Sequence, residues 1–295
     1  MSNNEQNGKA FKLFRNLVCP RNDGAAKNKG EVIFMEKVFH IKDWEWREDE
    51  FGPYRSCFWT VREPAGKLWI VKFTGSFYSY REWVFSRLAT RLGLNARKVR
   101  LARISKSDLL HIGRKGTEPF QLLLEYVEMH GDLPCNPHCP FPELKRHINE
   151  ENDLPEVFSS SSVSNADDYI LKDYMAAIFG ANEPSECLFS TDHRVYIIDN
   201  EQMFSQRPVE TISAPWLFAK DGDYSERGHK LLSALCHKII SLTDTDLQNI
   251  SKCPEEYRVD ATWPILPILR KGKQIAHTIF KNGPTLGRRN RVSTH

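Results

Sequence analysis

The chain opens with a stretch lacking any apolar period, residues 1–30, rich in Asn, Lys and Gly, which predicts a mobile arm. From "EVIFMEKVFHI" onward, apolar and polar residues alternate in the manner of a strand. The turn-forming "DEFGPYRS" separates this run from "CFWTVRE", and "PAG" separates that from "KLWIVKF", so the three predict an antiparallel meander. In "SYREWVFSRLATRLGL" the period changes to that of a helix, with Trp83, Val84, Leu88 and Leu92 on one stripe and Gly93 as its C-terminal cap. Two further strands, "KVRLARIS" and "PFQLLLEYVEM", complete the first half.

The second half is patterned differently. Two polar loops, "HGDLPCNPHCPFPE" and "EENDLPEVFSSSSVSN", lead into "ADDYILKDYMAAIFG". That segment predicts a helix with Asn165 or Asp167 near its cap, a stripe of Ile170, Leu171, Tyr174, Met175 and Ile178, and Gly180 as its stop. Two short apolar runs, "CLFS" and "VYIIDN", flank the turn "TDHR". Helical periods return in "RGHKLLSALCHKIISL", "DTDLQNISKC" and "WPILPILRKGKQIAHTIF". A β-rich half followed by a helical half predicts an α+β protein with two unequal lobes and a cleft between them.

Composition narrows the class. An apolar fraction of 40% in 295 residues suffices for a real core, and seven Trp and seventeen Phe argue against a disordered chain. No apolar run is long enough to span a bilayer, and the first residues lack the apolar core of a secretory signal, so the expected location is cytoplasmic, with no membrane partner. Seven scattered cysteines predict reduced thiols rather than a disulfide framework. The net charge of +3 is concentrated at the end, where Lys281, Arg288, Arg289 and Arg291 fall. Nucleic acid is therefore not indicated, beyond a weak attraction of the basic tail 282–295 for RNA or an acidic partner.

Three charged residues stand out by position. Lys72 ends "LWIVKF", a run so apolar that a charge needs a partner there, and Glu82 in the following helix offers one. Asp199 ends "VYIID" more than a hundred residues later. A lysine for phosphates, a carboxylate to hold it and an aspartate for Mg²⁺ form the minimal electrostatic set for phosphoryl transfer. Each also has an ordinary reading: an edge-strand lysine reaching solvent, a solvated helix carboxylate, and a turn residue.

In order and spacing, "LWIVKF", "REWVFSRLATRLGL", "LLLEYVEM" and "DYMAAIFGANEPSECLF…VYIIDNEQMF" resemble the HipA-like branch of the protein-kinase-like superfamily. The resemblance spans roughly residues 30–280 and implies a two-lobed kinase-like fold binding ATP and Mg²⁺. It implies a small β-rich N-lobe over 31–129, with a hinge at 125–129, and a larger helical C-lobe over 130–281. By that resemblance Lys72 would contact the phosphates and Glu82 would orient it, while Asp199 would hold the metal. Glu125, Tyr126 and Val127 would meet adenine through backbone groups. The turn with Gly52, Arg55 and Ser56 would cover the phosphates, although it has fewer glycines than such loops usually carry.

The catalytic loop departs from the family pattern. The expected Asp falls on Asn182, the expected Arg on Glu183 and the expected metal-binding Asn on Cys187. An amide is not a useful base, and a thiol is a poor ligand for a hard cation. Glu183 and Glu186 supply nearby carboxylates that could substitute. Two readings therefore stand: a phosphoryl or nucleotidyl transferase acting on an unknown protein or small-molecule acceptor, and a pseudokinase that binds a nucleotide or a partner without turnover. A third reading is a scaffold whose Pro-rich and Ser-rich loops face partners. "CNPHC" offers Cys135, His138 and Cys139 to zinc with His147 as a fourth ligand, but metal-free loop cysteines are the more ordinary reading. Cys187 with His193 could also form a nucleophile and base.

Overall fold

A computed structural model describes residues 37–47, 58–127, 164–165, 167–181, 186–189, 194–198, 200, 202–205, 211–212, 222–257 and 264–286. In chain order the first elements are β1 (Phe39–Ile41), β2 (Glu45–Arg47), β3 (Phe58–Arg62), β4 (Leu68–Lys72) and α1 (Ser76–Leu92). They are followed by β5 (Val99–Ile104), α2 (Lys106–His111) and β6 (Phe120–Glu125). The second half contributes α3 (Asp167–Phe179), β7 (Glu186–Phe189), β8 (Val195–Ile198), β9 (Thr211–Ile212) and α4 (Gly222–Ser241). The last elements are α5 (Asp244–Ser251), α6 (Ile265–Asn282) and β10 (Thr285–Leu286).

The first six strands form one mixed sheet in the order β1-β5-β6-β4-β3-β2. The expected meander is present in β2, β3 and β4, which pair antiparallel. The first apolar run is not part of it. Among the described residues of that run, Phe39–Ile41 is a strand, and it lies at the far edge of the sheet, paired parallel with β5. Strand β2 and the short helix α2, capped by Ser105 accepting from the Asp108 amide, carry too few residues for a period to register.

Alternation places each strand residue on one face or the other. Ile70, Leu122, Leu124, Val99 and Leu101 face α1 and belong to the larger core, whereas Trp69, Val71, Leu123, Ala102 and Ile104 form a second cluster on the opposite face. Helix α1 buries Trp83, Val84, Phe85, Leu88 and Leu92 in the larger core and ends at Gly93, whose φ of 80° is left-handed and suits glycine. The larger core runs on without interruption through Ile170, Tyr174 and Ile178 of α3, Val195 and Ile197 of β8, Leu232 and Ile239 of α4, and Leu269 and Ile275 of α6. Strands β7 and β8 form an antiparallel hairpin, as the two apolar runs around "TDHR" led one to expect.

No helix among the described residues is long and apolar enough to cross a membrane. Cys236 and Cys253 are free thiols, and burial pushes the Cys253 thiol up to about 11 and the Cys236 thiol to about 12. Burial also holds the His229 imidazole on α4 below its ordinary value of 6.5. Its folded pKa is depressed, so the unfolded chain takes up the proton first as pH falls. Stability carried by the neutral ring is thus full above 6.5 and is lost as pH drops through the folded value. Replacing His229 by Gln should flatten the decline in urea midpoint between pH 7.5 and about 5; an unchanged decline would mean that other groups carry it.

Candidate functional site

The site begins with the alternation in β4. Ile70 is buried against α1, and Lys72, two residues on, lies on the same face. Strand β4 is interior to the sheet, flanked by β3 and β6, with Lys72 opposite Phe58 on one side and Leu122 on the other. The lysine therefore does not reach solvent from an edge. Its Nζ lies 3.1 Å from Glu82 Oε2, with the two side chains only 5% and 3% exposed, and 6.0 Å from the centre of the Phe58 ring. Removing two charges from water costs several kcal/mol per ion, which only close pairing and further polar contacts offset. Helix α1 starts three residues earlier than the sequence pattern suggests, at Ser76, so Glu82 stands in its second turn.

Asp199 itself is outside the described residues, but the backbone on both sides of it is held by specific bonds. Lys172 on α3, buried at 2% exposure, donates from Nζ to the carbonyl oxygen of Ile198 at 2.5 Å. On the other side, Arg81 on α1 donates from Nε to the Met203 carbonyl at 2.8 Å and from Nη2 to the Gln202 carbonyl at 3.3 Å. The turn between is closed by the Met203 amide donating to the Asn200 carbonyl and the Ser205 amide to the Gln202 carbonyl, both at 3.1 Å. Phe204 follows with φ of 63°, a left-handed conformation that costs a bulky residue about 1–2 kcal/mol and persists only where packing dictates it. Its ring is fully buried and meets the edge of Phe179 at 6.2 Å between centroids.

Strand β8 is pinned along its length as well. The Asn95 side chain donates to the Val195 carbonyl at 2.7 Å, the Ile197 amide donates to the Asn95 carbonyl, and the Arg97 amide donates to the Ile197 carbonyl. Asn165 donates to the same Val195 carbonyl and accepts from the Val195 amide at 2.8 Å. Asp168 accepts from both the Asn95 amide and the Asn165 side chain. The linker after α1, Asn165 and the first turn of α3 thus grip one strand, which ends at Ile198, the residue before Asp199 in the chain.

Sequence reasoning did not single out Arg81, Lys172 or Asn95. The signal for the first two was present: Arg81 shares a helical stripe with Val84, Phe85 and Leu88, and Lys172 shares one with Met175 and Phe179. A cation on an apolar stripe is a buried cation, as Lys72 was read to be.

The remaining predicted residues fall as follows. Glu125 ends β6 and accepts from Lys67 Nζ at 3.0 Å, with Lys98 Nζ at 3.8 Å. Its amide donates to the Lys98 carbonyl at 2.9 Å, and Tyr126, 42% exposed, and Val127 follow it in the chain. Glu186 and Cys187 lie on β7 in register with Ile198 and Ile197, which brings their backbone beside the residues preceding Asp199. Gly52, Arg55, Ser56, Asn182, Glu183, Cys135, His138, Cys139, His147 and His193 lie outside the described residues. Among the described residues no group of three or more His, Cys, Asp or Glu side chains is placed to hold a metal.

No protein-family model and no curated protein matches this chain. Among solved structures, it is similar to that of a proinflammatory kinase from Helicobacter pylori, CtkA, at 11% identity and a TM-score of 0.44, over 82% of this chain and 98% of that one.

Proposed function

We propose that this chain is an atypical kinase-fold protein of HipA-like type. On this reading it binds ATP with Mg²⁺ between two lobes and transfers a phosphoryl or nucleotidyl group to a protein or small-molecule acceptor. The observation that carries the reading is the buried Lys72–Glu82 pair, at 3.1 Å, on the face of an interior strand. An ion pair this dry is weak support for stability, because an apolar pair of similar volume would serve the fold as well. A held ammonium suits a polyanion: Glu82 fixes the direction of Nζ, and Lys72 meets the phosphates as a point charge.

Other residues take roles around that pair. Asp199 would hold Mg²⁺, which when bound would supply a positive charge shared among the phosphate oxygens. Lys172 and Asn95 set the strand that carries Asp199, and the Tyr126 and Val127 amides would receive the adenine edge. Gly52, Arg55 and Ser56 would cover the phosphates. Glu183 or Glu186 would accept the acceptor's proton where Asn182 cannot.

A second reading, a pseudokinase that binds nucleotide or a partner and does not turn over, is favoured by Cys187. Cysteine stands there where the family pattern has asparagine, and a thiol is a poor partner for a hard cation; its backbone pairs with that of Ile197. Calorimetry of ATP binding with and without Mg²⁺ tests the first reading. Wild type should bind with a Mg²⁺-dependent gain that Asp199→Ala reduces by about 10-fold or more. Wild type without Mg²⁺-dependent binding ends it. Turnover separates the two readings: activity in wild type that Glu183→Ala with Glu186→Ala abolishes supports transfer. Activity that appears only after Asn182→Asp with Cys187→Asn supports the pseudokinase.

A further inference from the structure

Charge divides unequally between the two halves of the chain. Residues 37–47 and 58–127 hold sixteen Lys and Arg against seven Asp and Glu, whereas the described residues from 164 onward hold ten of each. A chain whose total is only +3 thus carries a basic sheet, and not merely a basic end. Asymmetry of this kind points to a polyanionic partner.

Several of these cations share one surface. Arg100 stands opposite Leu123 in the register of β5 and β6, on the face of the second core cluster, which is turned away from α1 and from Lys72. Its guanidinium lies 4.3 Å from the centre of the Phe39 ring and 5.1 Å from that of Trp69. Lys67 Nζ lies 4.3 Å from the same Trp69 ring. Lys98, 71% exposed, stands 3.8 Å from Glu125, the carboxylate that Lys67 also meets. Arg114, beyond α2, lies 4.1 Å from the ring of Phe73, which packs on the same cluster. Two carboxylates stand among these four cations: Glu125, and Glu63, which accepts from Trp69 Nε1.

We propose that this face of the sheet binds single-stranded nucleic acid. A guanidinium seated on an aromatic ring is already oriented, and it offers a fork to a phosphate and a flat surface to a base. Lys67 and Lys98 meet neighbouring phosphates as point charges. An acidic protein would call for the charge alone, whereas arginines stacked on Phe39, Trp69 and Phe73 suit a partner that is both anionic and planar. The surface lies across the sheet from Lys72, so it stands apart from the nucleotide reading above.

The test is the fluorescence anisotropy of a labelled single-stranded RNA of about 16 nucleotides, titrated with the full chain at several salt concentrations. Affinity should fall with salt, with a logarithmic slope of about −3 for four cations at about 0.7 each. Lys98→Ala, at an exposed position, should reduce that slope by about 0.7. Arg100→Lys keeps the charge and loses the planar group; it should weaken RNA binding by about 5-fold or more and leave binding to polyglutamate unchanged. Lys230→Ala on α4 should alter neither. RNA binding that survives both Lys98→Ala and Arg100→Lys intact would place the contact on another surface and overturn the proposal. An equal loss on RNA and polyglutamate in Arg100→Lys would overturn it in favour of an acidic protein, and preference for anionic lipid vesicles over RNA in favour of a membrane. Wild type that binds no RNA at low salt ends it.

Discussion

Glu82→Ala should lower the free energy of unfolding by about 3–5 kcal/mol, because it leaves the Lys72 ammonium in a dry interior without the carboxylate 3.1 Å away. Lys72→Met should cost less, since an apolar stem of similar length fits among Ile70, Phe58 and Leu122 and only the Glu82 carboxylate then needs relief. The double variant Lys72→Met with Glu82→Leu should return to the stability of wild type or exceed it, as apolar replacements of buried pairs do by about 1–4 kcal/mol. It should nevertheless bind no ATP. Urea denaturation and calorimetry on the same samples read both quantities. A double variant that is stable and still binds ATP with wild-type affinity would remove the lysine from the site. One that remains as unstable as Glu82→Ala would show that the pair holds the fold rather than a ligand.

The second large effect is remote from any charge. Gly272 sits inside α6, and a methyl group built on its Cα would overlap the Phe179 ring. Gly272→Ala gains about 1 kcal/mol in helix propensity. The overlap should outweigh that gain, because Phe179 is fully buried and its ring already packs on that of Phe204; overpacking of this kind costs about 1–3 kcal/mol. Phe204 is in turn held at φ of 63°, so displacement of Phe179 is passed to the turn that follows Asp199. Adding Phe179→Leu should recover part of the loss, giving a clear non-additivity in a double-mutant cycle. Two additive destabilisations would show that the ring and the glycine do not share one space.

Much of the fold was legible because it is carried by long periodic runs. The stripes of α1, α3, α4 and α6, the glycine stops at Gly93 and Gly180, and the β7–β8 hairpin follow from spacing alone. The parallel excursion of β1 was not legible, since three residues carry no period and their partner strand lies some sixty positions away. At the candidate site, Lys72 and Glu82 were legible because a charge in an apolar run demands a partner ten residues on, and they are found together. Arg81 and Lys172 escaped notice for a different reason: on a helix an isolated cation is usually solvated, and only its stripe position distinguishes it. The backbone carbonyls that these two cations satisfy belong to a segment whose path cannot be inferred from residue type.

The grip of Asn95 on Val195 spans 100 residues. Closing a loop of that length costs about 4 kcal/mol in chain entropy before any contact rewards it. The sheet and α1 are built from residues of the first half, whereas β8 lies in a core completed by helices of the second half. At a synthesis rate of about 5–20 residues per second, the face that receives β8 emerges several seconds before β8 does. During that interval Leu94 and Val99, destined for the common core, face solvent or a chaperone. The strand that precedes Asp199 is thus synthesised well after the lysine with which that aspartate is proposed to work, and its core partners on α4 and α6 are synthesised later still.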